Sequence, residues 1–336
     1  MTRAISMLAL VAVAVTARAG DAKRFEYEEP HMGTKFRIVL YAPDKETADR
    51  AAKAAFARVG ELNRVMSDYI PDSELMKLCQ KSAKEPAGPV KVSDELFFVL
   101  AKAREVSEFS DGAFDVTIGP VVRLWRQARK DRELPDPEVL NAALKRVGYK
   151  HMVLDLKAKT VELKVAGMQL DLGGIAKGYA ADEGLKAIEK LGIASALVAA
   201  SGDIAVSDAP PGKPGWRVDI APLPGDNERR QLLFKNAAVS TSGDAEQFVE
   251  IGGVRYSHVI DPRTGIGLTG RRSVTVVARR GIEADSLTKM ASILPADEAI
   301  KKIETIDGAA TLIVVKTESG EVARQSKRFE GYLAKD

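Results

Sequence analysis

The chain has 336 residues, 45% of them hydrophobic and 29% charged, with a formal net charge of +3. That balance excludes the disordered, fibrous and low-complexity classes and leaves a globular protein with ample chain for a sizeable core. It gives no electrostatic reason to expect nucleic acid or an acidic membrane surface as a partner.

In chain order, residues 1–19 read as a secretory signal peptide. Arg3 supplies the positive start, residues 8–15 an apolar stretch, and Ala17-Arg18-Ala19 a small-x-small cleavage site before Gly20. The apolar stretch is shorter than the roughly 20 residues that span a bilayer, so a retained anchor is the lesser reading. No cysteine lies near the cleavage point, which removes a lipoprotein route. The expectation is an exported, periplasmic protein whose folded part runs over residues 24–336. Losing Arg3 and Arg18 with the leader lowers the formal net charge from +3 to +1. Cys79 is the single cysteine, so no intramolecular disulfide can form. It reads as a small buried side chain on the helix that carries Leu75 and Leu78.

Residues 24–42 alternate as a first strand region, and 44–65 predict a helix with Ala51, Ala54, Ala55, Val59 and Leu62 on one face. A second amphipathic helix is predicted over 92–110, with Ser93 as N-cap and Leu96, Phe97, Leu100, Ala103 and Val106 as its stripe. Residues 151–156 and 160–165 read as a hairpin through Lys157-Ala158-Lys159. After them comes Asp171-Leu172-Gly173-Gly174-Ile175-Ala176-Lys177-Gly178-Tyr179-Ala180, between an extended apolar segment and a helical stripe of Ala180, Leu185, Ile188 and Leu191. The glycine pair therefore sits at a helix N-terminus, where free backbone N–H groups suit an anion. The spacing is neither the dinucleotide fingerprint nor the P-loop, and a tight strand-to-helix turn alone also explains two adjacent glycines.

Strands follow at 194–200, 216–220 and near 231–241, 247–259 and 273–279, then helices at 284–294 and 296–304 and a last internal strand at 312–315. The whole reads as α+β, with mixed sheets, flanking helices and two closely joined lobes that hold a binding site in the cleft between them.

Over roughly residues 30–295 the sequence resembles the ApbE family, the FAD:protein FMN transferases. The resemblance rests on motifs in the family's order: Met32-Gly33-Thr34 opening the first strand; Met66-Ser67-Asp68-Tyr69 followed by Asp72-Ser73-Glu74-Leu75; and Phe114-Asp115-Val116-Thr117-Ile118-Gly119-Pro120, ending at Trp125. The Asp171 run comes next, followed by Ser240-Thr241-Ser242-Gly243-Asp244, His258-Val259-Ile260-Asp261-Pro262-Arg263-Thr264-Gly265 and Ala284-Asp285-Ser286-Leu287. It implies a reaction in which the FAD pyrophosphate is split, FMN is joined through a phosphoester to a threonine of an acceptor redox protein, and AMP leaves. That acceptor would be a periplasmic or membrane-attached flavoprotein domain, with this protein at most peripheral to membrane redox complexes.

The resemblance places Met32, Tyr69, Ala113, Phe114, Asp115, Asp171, Lys177 and the segment His258-Val259-Ile260 around FAD. These residue types suit such a ligand, because an aromatic or thioether can cover a ring face, a carboxylate can accept from ring or ribose donors, and an ammonium can meet a phosphate. Each also has a plainer reading, Met32 and Phe114 as core and Asp115 as the cap of a turn. His258 is the expected proton-transfer group, since an imidazole titrates near neutral pH.

For Mg²⁺ the resemblance implies the Asp285 carboxylate, the backbone carbonyl of Gly174, and a threonine four residues after the aspartate. Here that last position is Lys289, and a protonated ammonium ligates no cation. Thr288 lies about 100° round the helix. Three readings stay open: Thr288 or Ser286 takes over as ligand, Lys289 supplies the charge itself, or the chain binds FAD without transferring it efficiently. FAD hydrolysis to FMN and AMP, or a pure FAD carrier, are the corresponding alternatives to a transferase.

Overall fold

The computed structural model describes residues 22–220, 230–243, 248–318 and 320–335. The leader at 1–19 and Asp244 lie outside the described residues. No helix among the described residues is long and apolar enough to cross a membrane.

Eight strands form one sheet: β1 (Lys23–His31), β2 (Thr34–Ala42), β3 (Ala196–Ala200), β4 (Asp203–Val206), β5 (Ala237–Gly243), β6 (Arg272–Ala278), β7 (Ala310–Thr317) and β8 (Gly320–Gln325). Their order across the sheet is their order along the chain, and every neighbouring pair is antiparallel. The central strands are apolar on both faces because both are covered. On one face Ile38, Val198, Ala238, Val274 and Val276 join the helical core. On the other, Val39, Val239 and Val277 pack under Trp216, Leu232 and Phe234 of a hairpin made by Trp216–Ile220 and Arg230–Phe234.

Between β2 and β3 the chain makes α1 (Lys45–Met66), α2 (Glu74–Lys81), α3 (Asp94–Phe109), α4 (Gly119–Asp131), α5 (Pro137–Leu144) and α6 (Ala176–Glu189). Helices α7 (Gly281–Ile293) and α8 (Ala296–Glu304) lie between β6 and β7. A three-stranded sheet of Phe248–Ile251, Val254–Asp261 and Ile266–Thr269 is inserted between β5 and β6. With α4 and α5 it encloses a separate small core of Val121, Trp125, Leu140, Ile251 and Ile260. Trp125 Nε1 donates to the Gly265 carbonyl at 2.6 Å, tying α4 to the His258 to Gly265 segment.

The α+β class and most predicted elements hold, with instructive differences. The 24–42 segment is a tight hairpin in which Met32 (φ 49°) and Gly33 (φ 71°) both adopt left-handed backbone, as a two-residue primed turn requires. Met32-Gly33 is thus a turn tip, not the start of the first strand. Helices α4 and α5 are additions to the predicted elements, although Pro120 and Pro137 sit in their first turns as helix starts favour. Strand β8 is another addition, because all six of its residues are exposed and carry no alternation. Helices mix with sheets, but among the described strands every ladder is antiparallel; Ile118 and Gln169 form an isolated parallel bridge. Cys79 is buried as expected, and burial pushes its thiol up to about 11.

Helix α7 has no side-chain cap of its own. Asp182 of α6 substitutes, accepting from Gly281 N at 2.6 Å and Ile282 N at 3.1 Å. Burial pushes the Asp182 carboxyl up to about 6 from an ordinary 3.8, despite those hydrogen bonds. The native state therefore keeps a proton between pH 3.8 and 6 that the unfolded chain has released. Stability from this group falls as pH rises through that window and is level above it, by on the order of 3 kcal/mol in all. Urea unfolding at pH 4, 5, 6 and 7 should show that downward component in wild type minus Asp182→Asn, and a flat difference would refute it.

Candidate active site

A cavity of about 1000 Å³ opens where the excursions from neighbouring strands meet. Its walls come from the β1–β2 turn, the loop after α1, the Phe114 segment, α4, the Asp171 to Lys177 turn, the β3–β4 hairpin, β5, the strand Val254–Asp261 and α7. Met32, Tyr69, Ala113, Phe114, Asp115, Asp171, Gly174, Lys177, His258, Ile260 and Lys289 all line it. Asp285, Ser286 and Thr288 do not: they are buried in α7 behind the wall.

At the mouth, the Tyr69 ring is 74% exposed and lies on the Arg126 guanidinium, 4.1 Å from its carbon to the ring centroid. Arg126 also pairs with Asp68 at 2.6 Å and Asp171 at 3.0 Å, so one α4 side chain fixes both flanking loops. Sequence reasoning misses it. Of Arg123, Arg126 and Arg129 on α4, only placement against Asp68 and Asp171 distinguishes the one that clamps. Asp171 accepts from Gly173 N at 2.8 Å, holding the glycine turn. Burial, with Asp68 close by, pushes its carboxyl above the usual range.

Asp115 reaches the cavity, but its carboxylate is turned into the protein. It accepts from Thr117 N at 2.8 Å, Thr117 Oγ1 at 2.7 Å and Tyr149 N at 2.7 Å, which is the turn-capping role. Burial nonetheless holds it above the ordinary carboxylate range.

Deeper in, Lys177 Nζ lies 2.8 Å from Asp203 and 3.6 Å from Asp285. Burial opposes its charge, but the two carboxylates outweigh burial and drive the ammonium's pKa upward. The sequence analysis assigns Asp203 no role in the site, yet it is central here. It also accepts from Ser240 Oγ at 2.6 Å, and Lys177 and Lys289 hold it low against burial. Asp285 is fully buried; burial and then Asp203 push it up. In the Ser240 motif, Thr241, Ser242 and Gly243 line the cavity, and the buried Ser242 hydroxyl has no hydrogen-bond partner.

The donor set does not fit a Mg²⁺ ion well. A hard divalent cation wants about six oxygen ligands, and among the described residues no three carboxylate, imidazole or thiol side chains converge. Asp285 Oδ1 has no hydrogen-bond partner, but the Lys289 ammonium lies 3.4 Å from it. The Thr288 hydroxyl donates to Ala284 O at 2.6 Å and the Ser286 hydroxyl to Ile282 O at 2.8 Å, back into the helix.

The ApbE family model matches residues 32–313. The chain is 30% identical over 321 residues to the FAD:protein FMN transferase of Vibrio cholerae, covering 94% of each chain. It is 30% identical over 344 residues to that of Haemophilus influenzae, covering 98% of each. The solved structure of the flavin transferase ApbE from Vibrio cholerae superimposes with a TM-score of 0.82 at 29% identity, covering 93% of this chain and 100% of that one.

Proposed function

We propose, from the premise that this chain belongs to the ApbE family, that it is a FAD:protein FMN transferase. The observation that carries this reading is the convergence of six of the seven motifs on one cavity of about 1000 Å³, large enough for a dinucleotide. Tyr69, backed by Arg126, offers an exposed aromatic face for a flavin or adenine ring. Lys177 and Lys289 present positive charge where a diphosphate would lie, in a cavity whose wall also holds the buried, unpartnered Ser242 hydroxyl.

In the reaction, the hydroxyl oxygen of an acceptor threonine attacks the phosphorus on the FMN side. A phosphoester bond forms, the bond between that phosphorus and the bridging oxygen breaks, and AMP leaves with the electron pair. His258 lines the cavity and takes the hydroxyl proton. The residues present do not suit the magnesium that the family resemblance implies. Residues 1–19 would export the protein, so the acceptor is a periplasmic or membrane-attached flavoprotein domain.

The test is incubation of the mature protein with FAD and a threonine-bearing acceptor domain, followed by intact mass of the acceptor. A gain equal to FMN less one water, with one AMP per acceptor modified, is the expected result. AMP without a mass gain would replace the reading with FAD hydrolysis, and bound, unbroken FAD would replace it with a carrier.

A further inference from the structure

Lys289 follows Asp285 by one helical turn, and the two side chains share a face of α7. Its stem runs against the glycine turn: a Cβ on Gly174 would come within 3.0 Å of Lys289 Cγ and 3.4 Å of Phe114 Cε2. The same side chain ends 3.4 Å from Asp285 Oδ1, the oxygen that no hydrogen bond satisfies. Lysine thus fills the space between the Gly174 backbone and the Asp285 carboxylate, where a cation bridging them would have to sit. The hydroxyls of Ser286 and Thr288, the other groups able to complete such a site, donate into the helix backbone. Two buried carboxylates, Asp203 and Asp285, already face two ammoniums, Lys177 and Lys289. A divalent ion entering here would meet both positive charges at short range.

We propose that the Lys289 ammonium stands in for a divalent cation in this protein and holds the FAD diphosphate directly. An ammonium has three donors; the 3.4 Å ion pair with Asp285 engages none of them in a hydrogen bond, so they remain for a phosphate oxygen in the cavity that Lys289 lines. This rests on the transferase reading for the identity of the ligand, but its test needs no turnover.

FAD binding is followed by flavin fluorescence in EDTA and in excess Mg²⁺, and Mn²⁺ binding by the electron paramagnetic resonance signal of the free ion. Wild type should bind FAD within about threefold the same in both buffers and leave the Mn²⁺ signal undiminished. Lys289→Met should weaken FAD roughly tenfold or more without gaining Mn²⁺, the loss of one charge-assisted contact. Lys289→Thr should show the same loss in EDTA, take up Mn²⁺, and recover FAD affinity when the metal is added. Near-UV circular dichroism of each variant verifies the fold. The proposal is overturned if wild type takes up one Mn²⁺ and loses tenfold or more of its FAD affinity in EDTA. It is equally overturned if folded Lys289→Met binds FAD as wild type does. An inactive protein that passes these binding tests would sink the transferase reading and leave Lys289's role standing.

Discussion

Gly178→Ala is expected to destabilise the folded protein by several kcal/mol. An added Cβ would overlap the Gly281 carbonyl and come within 2.8 Å of Asp285 Cβ, so α6 and α7 could not keep their crossing. Helix propensity argues the other way, since alanine is favoured over glycine inside a helix by about 1 kcal/mol. The steric term wins because the obstructing atoms are backbone and cannot rotate aside; overpacking of this kind costs on the order of 4 kcal/mol or more. That is a large part of a typical domain's stability of about 5–15 kcal/mol. Because α6 carries Lys177 while α7 carries Asp285 and Lys289, any surviving fold should also bind FAD poorly. A urea midpoint at the wild-type value would mean that the two helices are not held as closely as described.

Lys177→Ala should remove transfer activity by a factor of about 100 or more and destabilise the protein by about 3–5 kcal/mol at pH 7, the range for leaving a buried charge without its partner. The pH dependence gives the sharper test. In wild type Lys177 helps to hold Asp203 low, so that part of the stability is complete at neutral pH and is lost as acid protonates the carboxylate. Without the ammonium, only Lys289 and the Ser240 hydroxyl remain to oppose burial, and the Asp203 carboxyl rises. The variant should then recover stability relative to wild type as pH falls from 7 to 5, read as converging urea midpoints. Parallel curves would show that Lys177 is not the counter-charge of this pair.

Much of the site is legible in the sequence because its residues lie in contiguous motifs at element ends. The Asp171 run predicts the turn into α6, Ser93 predicts the cap of α3, where Leu96 N donates to its hydroxyl at 3.2 Å, and the cavity-lining types are sensible. Arg126 and Asp203 are not legible as site residues. Each acts through partners more than 25 residues away in sequence, and helix or strand periodicity says nothing about such pairings. Asp115 shows the converse: its sequence context allows both a ligand contact and a turn cap, and only the three donors around its carboxylate decide for the cap. The lysine at 289 is visible as a departure, but that its stem lies on Gly174 requires the fold.

The sheet's chain-order arrangement bears on how such a protein can diversify. Each excursion leaves one strand and returns to the strand beside it, so its two ends lie about 5 Å apart. The three-stranded insert between β5 and β6, which supplies His258 and Ile260, is therefore anchored like a cassette. It can be lengthened or trimmed without rethreading the framework that holds Lys177, Asp203 and Asp285, so long as His258 keeps its place in the cavity wall.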